Sequence, residues 1–334
     1  MPKTVLLLSG GLDSTLAARV MLEQNVEIHA INFASVFCTC TPKGAGCSAA
    51  NSAARQLGIP LRTESNSEEL IPLVKSPRHG YGRNLNPCLD CRILSFKKAK
   101  RYMDEIGADF LTTGEVLGER PMSQRMDAMR IIERDAGVAG LVLRPLSARL
   151  MPVTEPEAKG LVDREKLLAI EGRSRKEQMG LAEHYGIKDY PCPAGGCLLT
   201  DEGFARRMKD LMAFEPDFGV HDCILLKVGR HFRLSPQAKL IVGREEAQNA
   251  RLVELGRPGD WLLVPTTTPG ATGLLRGAPT GQEGTLRLAA SIVAHYGKGR
   301  NAPAVELEVR RLEAGRAATD TIQTAAVAEL PQSL

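Results

Sequence analysis

The chain has 334 residues, of which 43% are hydrophobic and 25% are charged, and its formal net charge is +4. This composition is typical of a globular protein, and the length predicts two domains. Polar low-complexity tracts and apolar runs long enough to cross a bilayer are absent, which argues against a disordered or membrane-bound chain. The sequence begins with a strand pattern rather than a signal peptide, so we expect a cytoplasmic protein without a membrane partner.

The first fifteen or so residues combine a buried strand, a small polar loop and the start of a helix. Val5–Leu8 is an unbroken apolar run, typical of a strand buried on both faces of a parallel sheet, and Thr15–Leu22 has helical spacing. The glycines between them let an anion approach the backbone, and the helix N-terminus offers unpaired N–H groups. We therefore predict a phosphate-binding loop of six consecutive residues: Ser9, Gly10, Gly11, Leu12, Asp13 and Ser14.

Strand and helix patterns alternate through the rest of the N-terminal region. Glu27–Phe33 predicts a second strand, Val142–Leu146 a fifth, and Arg164–Glu171 a further helix. Such alternation predicts an α/β domain over residues 1–200, with a doubly wound parallel sheet that binds ligands at the carboxyl ends of its strands. Asn32 and Phe33 end the second strand, where such a fold holds an adenine ring.

The eight cysteines favour metal-binding or catalytic thiols over a disulfide framework in a cytoplasmic protein. Cys88 and Cys91 form a C-x-x-C at the start of a basic helix, where the helix dipole and Arg92 are expected to lower both thiol pKa values. Cys197 follows two glycines and is preferred over Cys192 as a functional thiol. Three thiolates are one too few for structural zinc but suit an iron–sulfur cluster with one open iron.

Three further cysteines, Cys38, Cys40 and Cys47, lie in one loop after the second strand. They could bind zinc, but a fourth ligand is not evident. We expect them to be unligated thiols.

The C-terminal third has a different pattern and carries all of the basic excess. Residues 201–222 predict a linking helix, and residues 223–315 predict a small α+β domain of short strands and helices, the first strand at Ile224–Val228. Residues 316–334 predict a frayed tail. From Cys223 onward the sequence contains 14 basic residues (Lys and Arg) and 10 acidic residues (Asp and Glu). The preceding residues contain 29 basic and 29 acidic residues. A second basic feature, the turn at 172–176, either flanks a helix or holds phosphate, and both readings remain open.

The N-terminal 200 residues resemble the tRNA 4-thiouridine synthetase and 2-thiouridylase branch of the PP-loop ATP pyrophosphatases. The resemblance rests on SGGLDS at 9–14, NPCLDC at 86–91, TGEVLGE at 113–119 with Ser123-Gln124, VLRPL at 142–146, and a late cysteine. It implies an ATP site that includes the loop 9–14, Gly114 and Gln124, with Asp13 positioning Mg²⁺. The THUMP region of the 4-thiouridine synthetases and the C-terminal barrel of the 2-thiouridylases are not found in this sequence.

Residues 223–315 resemble the NFACT-R type of domain, which binds tRNA in ribosome-associated quality-control proteins. The tracts that carry the resemblance are HFRLSPQAKLIVGREEAQNARL, PGDWLLVPTTTPGATGLLRG and LAASIVAHYGKGR. It implies an RNA-binding domain; the alternative is an α+β domain used for homodimerisation.

Together the resemblances imply ATP-dependent thiolation of a tRNA uridine. A uracil oxygen would be adenylated, and sulfur from sulfide or a persulfide-carrying protein would then replace it. Either Cys88, Cys91 and Cys197 bind a [4Fe–4S] cluster, or Cys197 carries a persulfide that Cys88 resolves; we expect the cluster, because Cys91 has no essential task in the second route. The alternatives are an ATP pyrophosphatase acting on a small molecule and a non-catalytic RNA-binding adaptor.

Overall fold

The structure, a computed structural model, describes residues 1–39, 48–188, 190, 196–277, 283–313 and 318–334. The chain forms two compact units, Met1–Asp201 and Glu202–Leu334. Each has its own sheet and its own hydrophobic core.

The first unit contains a parallel sheet of five strands in the order β3-β2-β1-β4-β5. The strands are β1 (Lys3–Leu7), β2 (Glu27–Ala34), β3 (Leu61–Ser65), β4 (Phe110–Thr113) and β5 (Val142–Leu143). The helices are α1 (Leu12–Leu22), α2 (Ser48–Leu57), α3 (Ser67–Lys75), α4 (Cys88–Glu105), α5 (Met126–Ala136), α6 (Glu155–Ala158) and α7 (Lys176–His184). This confirms the predicted doubly wound α/β fold.

The central strand β1 supplies apolar side chains to both faces of the sheet. Leu6 belongs to the core that includes α1 residues, whereas Val5 and Leu7 belong to the core that includes Phe96 of α4 and Ile132 of α5. A strand buried on both faces needs an uninterrupted apolar run, which explains the sequence of β1. Strand β1 pairs with β2 on one edge and with β4 on the other, so the strand order runs in opposite directions on the two sides of β1. This reversal of strand order opens a crevice at the carboxyl ends of β1 and β4.

The second unit is built on an antiparallel sheet of six strands in the order β11-β10-β8-β9-β7-β6. The strands are β6 (Arg230–Arg233), β7 (Lys239–Val242), β8 (Trp261–Pro265), β9 (Gly273–Arg276), β10 (Val305–Arg311) and β11 (Ala318–Thr324). The helices are α8 (Glu202–Phe214), α9 (Val220–Leu225), α10 (Glu246–Leu255) and α11 (Glu283–His295). Helix α11 contributes buried residues to the core on one face of this sheet.

Three local predictions are wrong. The apolar run from Ile224, predicted as a strand, begins inside helix α9, because the Asp222 carboxylate accepts a hydrogen bond from Gly219 N (2.9 Å) at the start of that helix. The stretch from Arg164 to Glu171 forms only a short 3₁₀ turn at Arg164–Lys166 instead of a helix. The tail is not frayed: β11 pairs with β10 along seven residues, and Leu330 packs against the core.

The segment at 201–222 forms helix α8 and the start of α9, both within the second unit. Asp210 of α8 is buried and forms ion pairs of 2.7 Å with Arg233 and with Lys239, a lysine that is only 4% exposed. The pairs tie α8 to strands β6 and β7. Among the described residues, no helix is long and apolar enough to cross a membrane.

We predict that a fragment of residues 202–334 folds, whereas a fragment of residues 223–334 does not. Without Asp210 the ammonium of Lys239 is buried with no carboxylate partner, and breaking a buried pair costs about 3–5 kcal/mol. Urea unfolding of both fragments, followed by circular dichroism, measures the difference. Equal midpoints would contradict the prediction; Asp210→Ala in the longer fragment should reproduce much of the loss.

Candidate functional site

A cavity of about 440 Å³ lies in the first unit, where the strand order reverses. One part of its wall is the loop between β1 and α1, and another is formed by cysteines from three separate segments. The fold thus brings the predicted phosphate loop and the predicted thiols to the same cavity.

The phosphate loop runs directly into helix α1. Gly11 is the N-cap residue, and no side chain caps the helix. Ser14 Oγ donates to Gly11 O (2.9 Å) and lies 3.1 Å from Ser9 Oγ, so the two serines hold the loop closed on itself. The first N–H groups of an α-helix have no partners within it, and the positive end of the helix dipole favours an anion there. The loop can therefore bind phosphate oxygens.

Two glycines keep the loop in place through close backbone contacts. Gly10 has φ +78°, and a Cβ there would lie 2.3 Å from Ala49 C at the start of α2. A Cβ on Gly114, just after β4, would lie 2.4 Å from Ser14 N. No other residue fits at either position without moving backbone. Gly10 is not among the residues that line the cavity. Its close neighbour is the backbone of α2 instead.

Asp13 faces a cationic wall of the cavity. Burial raises the pKa of its carboxyl above the usual range, and Arg175 and Arg120 offset this only in part. Arg175 Nη2 lies 3.7 Å from Asp13 Oδ2. The basic turn that the sequence left undecided thus places one of its arginines, Arg175, in the cavity wall. A carboxylate beside arginines is suited to a ligand that carries both phosphates and a cation.

Several buried polar atoms around the cavity lack a hydrogen-bond partner among the described residues. They are Asp13 Oδ1, Asn32 Oδ1, Arg92 Nε, Gln124 Oε1 and Arg175 Nε. Asn32 is held by its amide nitrogen, which donates to Leu8 O (2.7 Å). An unpaired polar atom in a buried site is costly, and a bound polar ligand would satisfy it. This donor and acceptor set fits a nucleotide with a divalent cation.

The cysteine wall is assembled from α4 and two distant segments. Cys88 and Cys91 lie in the first turn of α4, and Cys197 forms an isolated antiparallel bridge with Cys38. All four line the cavity. Cys38 was expected to be an unligated loop thiol, and its approach to Cys197, 159 positions away, has no signal in the sequence. Cys40, Cys47 and Cys192 lie outside the described residues.

The expectation of lowered thiol pKa values in the C-x-x-C is wrong for Cys91. Burial raises the pKa of Cys91 to about 12, and neighbouring Cys197 adds to this, while Arg92 opposes it. Burial likewise raises the pKa of Cys197 to about 11. Desolvation of a thiolate therefore outweighs the helix dipole here. A bound metal group would supply the positive charge that these thiols need in order to ionise.

The thiols do not form a site for a single ion. Within the described ranges, no group of three His, Cys, Asp or Glu side chains is arranged to hold one metal ion. A multi-iron cluster takes thiolates around a larger body, and thiolates are its usual protein ligands. The thiols that line this part of the cavity are therefore of the residue type that a cluster requires.

Glu115 joins the cysteine helix to the sheet and was not identified from the sequence. It lies just after β4, is 5% exposed, and accepts from Arg92 Nη2 (2.6 Å) and Arg144 Nε (3.0 Å). Burial alone would raise the pKa of Glu115, but the two guanidinium groups outweigh it and hold the pKa below the usual value. The only sequence signal was its place within TGEVLGE.

Most predicted site residues line the cavity. Those that do are Ser9, Gly11, Leu12, Asp13, Ser14, Asn32, Phe33, Cys88, Cys91, Gly114, Gln124 and Cys197.

Each unit matches a known family over part of its length. Residues 1–149 match the family described as thiamine biosynthesis protein (ThiI), and residues 229–333 match the NFACT protein RNA binding domain. Parts of both units are thus similar to the families that the sequence resemblances predicted.

The sequence similarity to curated proteins covers about a third of this chain and about a third of each of those proteins. The tRNA-specific 2-thiouridylase MnmA of Syntrophotalea carbinolica is 36% identical over 116 residues, which is 32% of this chain and 32% of that protein. MnmA of Trichlorobacter lovleyi is 33% identical over 120 residues, 34% of this chain and 33% of that protein.

Two solved structures have weak overall similarity. A 4-thiouridine synthetase in complex with RNA and ATP has a TM-score of 0.33 and 22% identity, over 56% of this chain and 52% of that chain. The U34-tRNA thiolase NcsA from Methanococcus maripaludis, with its [4Fe–4S] cluster, has a TM-score of 0.32 and 20% identity, over 68% of this chain and 72% of that chain. Similarity at this level does not define the function of this chain.

Proposed function

We propose that this protein is a tRNA sulfurtransferase that uses ATP to replace a uracil oxygen with sulfur, releasing AMP and pyrophosphate. The observation that carries the proposal is the single cavity lined by both the phosphate loop and the thiols. Adenylation takes place on the uracil oxygen and sulfur attacks the carbon that bears this oxygen, so the groups for both steps must share one site. The matched stretch of the 2-thiouridylases and the ThiI family match support the same assignment.

The phosphate-loop side of the cavity would bind and activate the nucleotide. The first-turn amides of α1 hold phosphate oxygens, and Arg175 and Arg120 neutralise charge as pyrophosphate leaves. Asp13 positions Mg²⁺, and Asn32 and Phe33 at the end of β2 hold the adenine ring. The uracil carbonyl oxygen then attacks the α-phosphate, which converts a poor leaving group into AMP.

The cysteine side would deliver sulfur. Cys88, Cys91 and Cys197 would hold a [4Fe–4S] cluster, which would supply the iron chemistry that activates sulfide as a nucleophile. Burial of these thiols excludes water, which protects the adenylated base from hydrolysis. The sulfur comes from sulfide or from a persulfide-carrying protein.

The second unit would bind the tRNA. Its match to an RNA-binding domain and the basic excess from Cys223 onward support this role. Cationic side chains bind the phosphate backbone without reading sequence, so this unit would supply affinity while the cavity selects the uridine.

The Asp13→Asn variant tests the nucleotide site. We expect tRNA-dependent formation of AMP and pyrophosphate to fall by about two to three orders of magnitude, as when one group of a preorganised site is lost. The fold should remain, because the change is isosteric. Asp127→Asn, at an exposed carboxylate of α5, is the control. Formation of AMP by Asp13→Asn at the wild-type rate would contradict the assignment of the nucleotide site. AMP formation that is independent of tRNA would indicate a small-molecule substrate.

The cysteine variants test the cluster. Changing Cys88, Cys91 or Cys197 to Ala should abolish iron binding and thiolation together, because each removes a ligand. Cys223→Ala should retain both, since that buried thiol belongs to the second unit. Iron and sulfide assays after anaerobic purification give the readout. An active Cys91→Ala enzyme and an iron-free wild type would instead support the persulfide route.

Removal of residues 202–334 tests the RNA-binding role. Residues 1–201 should still bind ATP, but their tRNA affinity should fall, and each lost phosphate contact should flatten the salt dependence by about one unit. Filter binding at several salt concentrations, with the isolated 202–334 fragment in parallel, measures this. Equal tRNA affinity with and without the second unit would favour a homodimerisation domain.

A further inference from the structure

Cys38 is the one cavity thiol, among the described residues, for which the proposed function has no task. It lies in the segment after β2 and bridges Cys197 in antiparallel fashion. Leu198 N donates to Phe37 O (2.8 Å), and this bond joins the residues that flank the bridged pair. Cys38 and Cys197 therefore form a non-hydrogen-bonded antiparallel pair, the kind in which Cα atoms lie about 4.5 Å apart and side chains are closest.

The side chains of such a pair lie on the same face of the ladder. That face is the cavity, which both cysteines line together with Cys88 and Cys91. The segment is held by Ser35, whose Oγ lies 3.5 Å from Cys38 Sγ, and by the bond from Leu198.

We infer that Cys38 is the fourth thiolate ligand of the iron–sulfur site that Cys88, Cys91 and Cys197 form. This inference rests on the proposed function and changes one part of it. Three cysteines leave one iron open, whereas four are the usual complement of a [4Fe–4S] cluster. With Cys38 in place the resting site is closed, and sulfide can take the fourth position only by displacing Cys38.

The two arrangements differ in how readily iron is lost. An iron without a protein ligand is retained only by inorganic sulfide and a small exchangeable ligand, so mild oxidation removes it first and leaves a three-iron cluster. A cluster with four cysteine ligands resists this loss. The oxidised four-iron cluster is silent in electron paramagnetic resonance, whereas the oxidised three-iron cluster gives a signal.

The experiment uses the full chain, reconstituted anaerobically with iron and sulfide and then treated briefly with ferricyanide. We expect the wild type to keep all four irons and to stay silent in the resonance spectrum. The Cys38→Ala variant should lose one iron in four and give the three-iron signal. If Cys38→Ala does not fold, the nearly isosteric Cys38→Ser variant takes its place. Cys223→Ala is the matched cysteine control.

A wild type that loses one iron as readily as Cys38→Ala would overturn the inference and leave the three-cysteine cluster standing. A wild type that binds no iron after reconstitution would overturn the cluster itself, and with it the fourth ligand. Retention of four irons by both the wild type and Cys38→Ala would also exclude Cys38 as a ligand. Added sulfide should shift the absorption spectrum at a lower concentration in Cys38→Ala than in the wild type.

Discussion

The buried carboxylate of Glu115 connects the two functional sides of the first unit. It directly follows Gly114, which contacts the backbone of the phosphate loop, and its oxygens bind Arg92 on the cysteine helix and Arg144. Removing one partner from such a buried network leaves an uncompensated charge, so α4 and the end of β4 are held in one arrangement. This contact therefore helps to fix the position of the cysteine helix relative to the phosphate loop.

The electrostatics of the cavity favour the binding of charged ligands. Around the loop, buried polar atoms of Asp13, Asn32 and Gln124 have no partner in the described structure, and burial raises the pKa of Asp13. On the opposite side, burial raises the pKa of Cys91 and Cys197. A divalent cation would favour the charged form of Asp13 beyond what its two neighbouring arginines achieve, and iron would favour the thiolate form of the cysteines.

Reasoning from the sequence succeeded where one short stretch carries its own physical explanation. The apolar run of β1, the glycines after it and the C-x-x-C at the start of α4 are local patterns, and each lies where it was predicted. Prediction failed at Ile224 and at Cys91 because the apolar run and the C-x-x-C do not themselves show what decides the outcome there. A side chain at the start of α9 turns an apolar run into a helix, and burial overrides the dipole at Cys91.

The sequence by itself determined the alternation of strands and helices around β1, the phosphate loop and the class of each unit, because those depend on periodicity and on residues adjacent in the chain. Only the tertiary structure decided which residues meet. It brought Arg175 to Asp13 and Cys38 to Cys197, and it paired Glu115 with two arginines. Such pairs are separated by 23 to 162 positions and leave no pattern in either segment, since proximity is set by how strands β1, β2 and β4 lie side by side in the sheet.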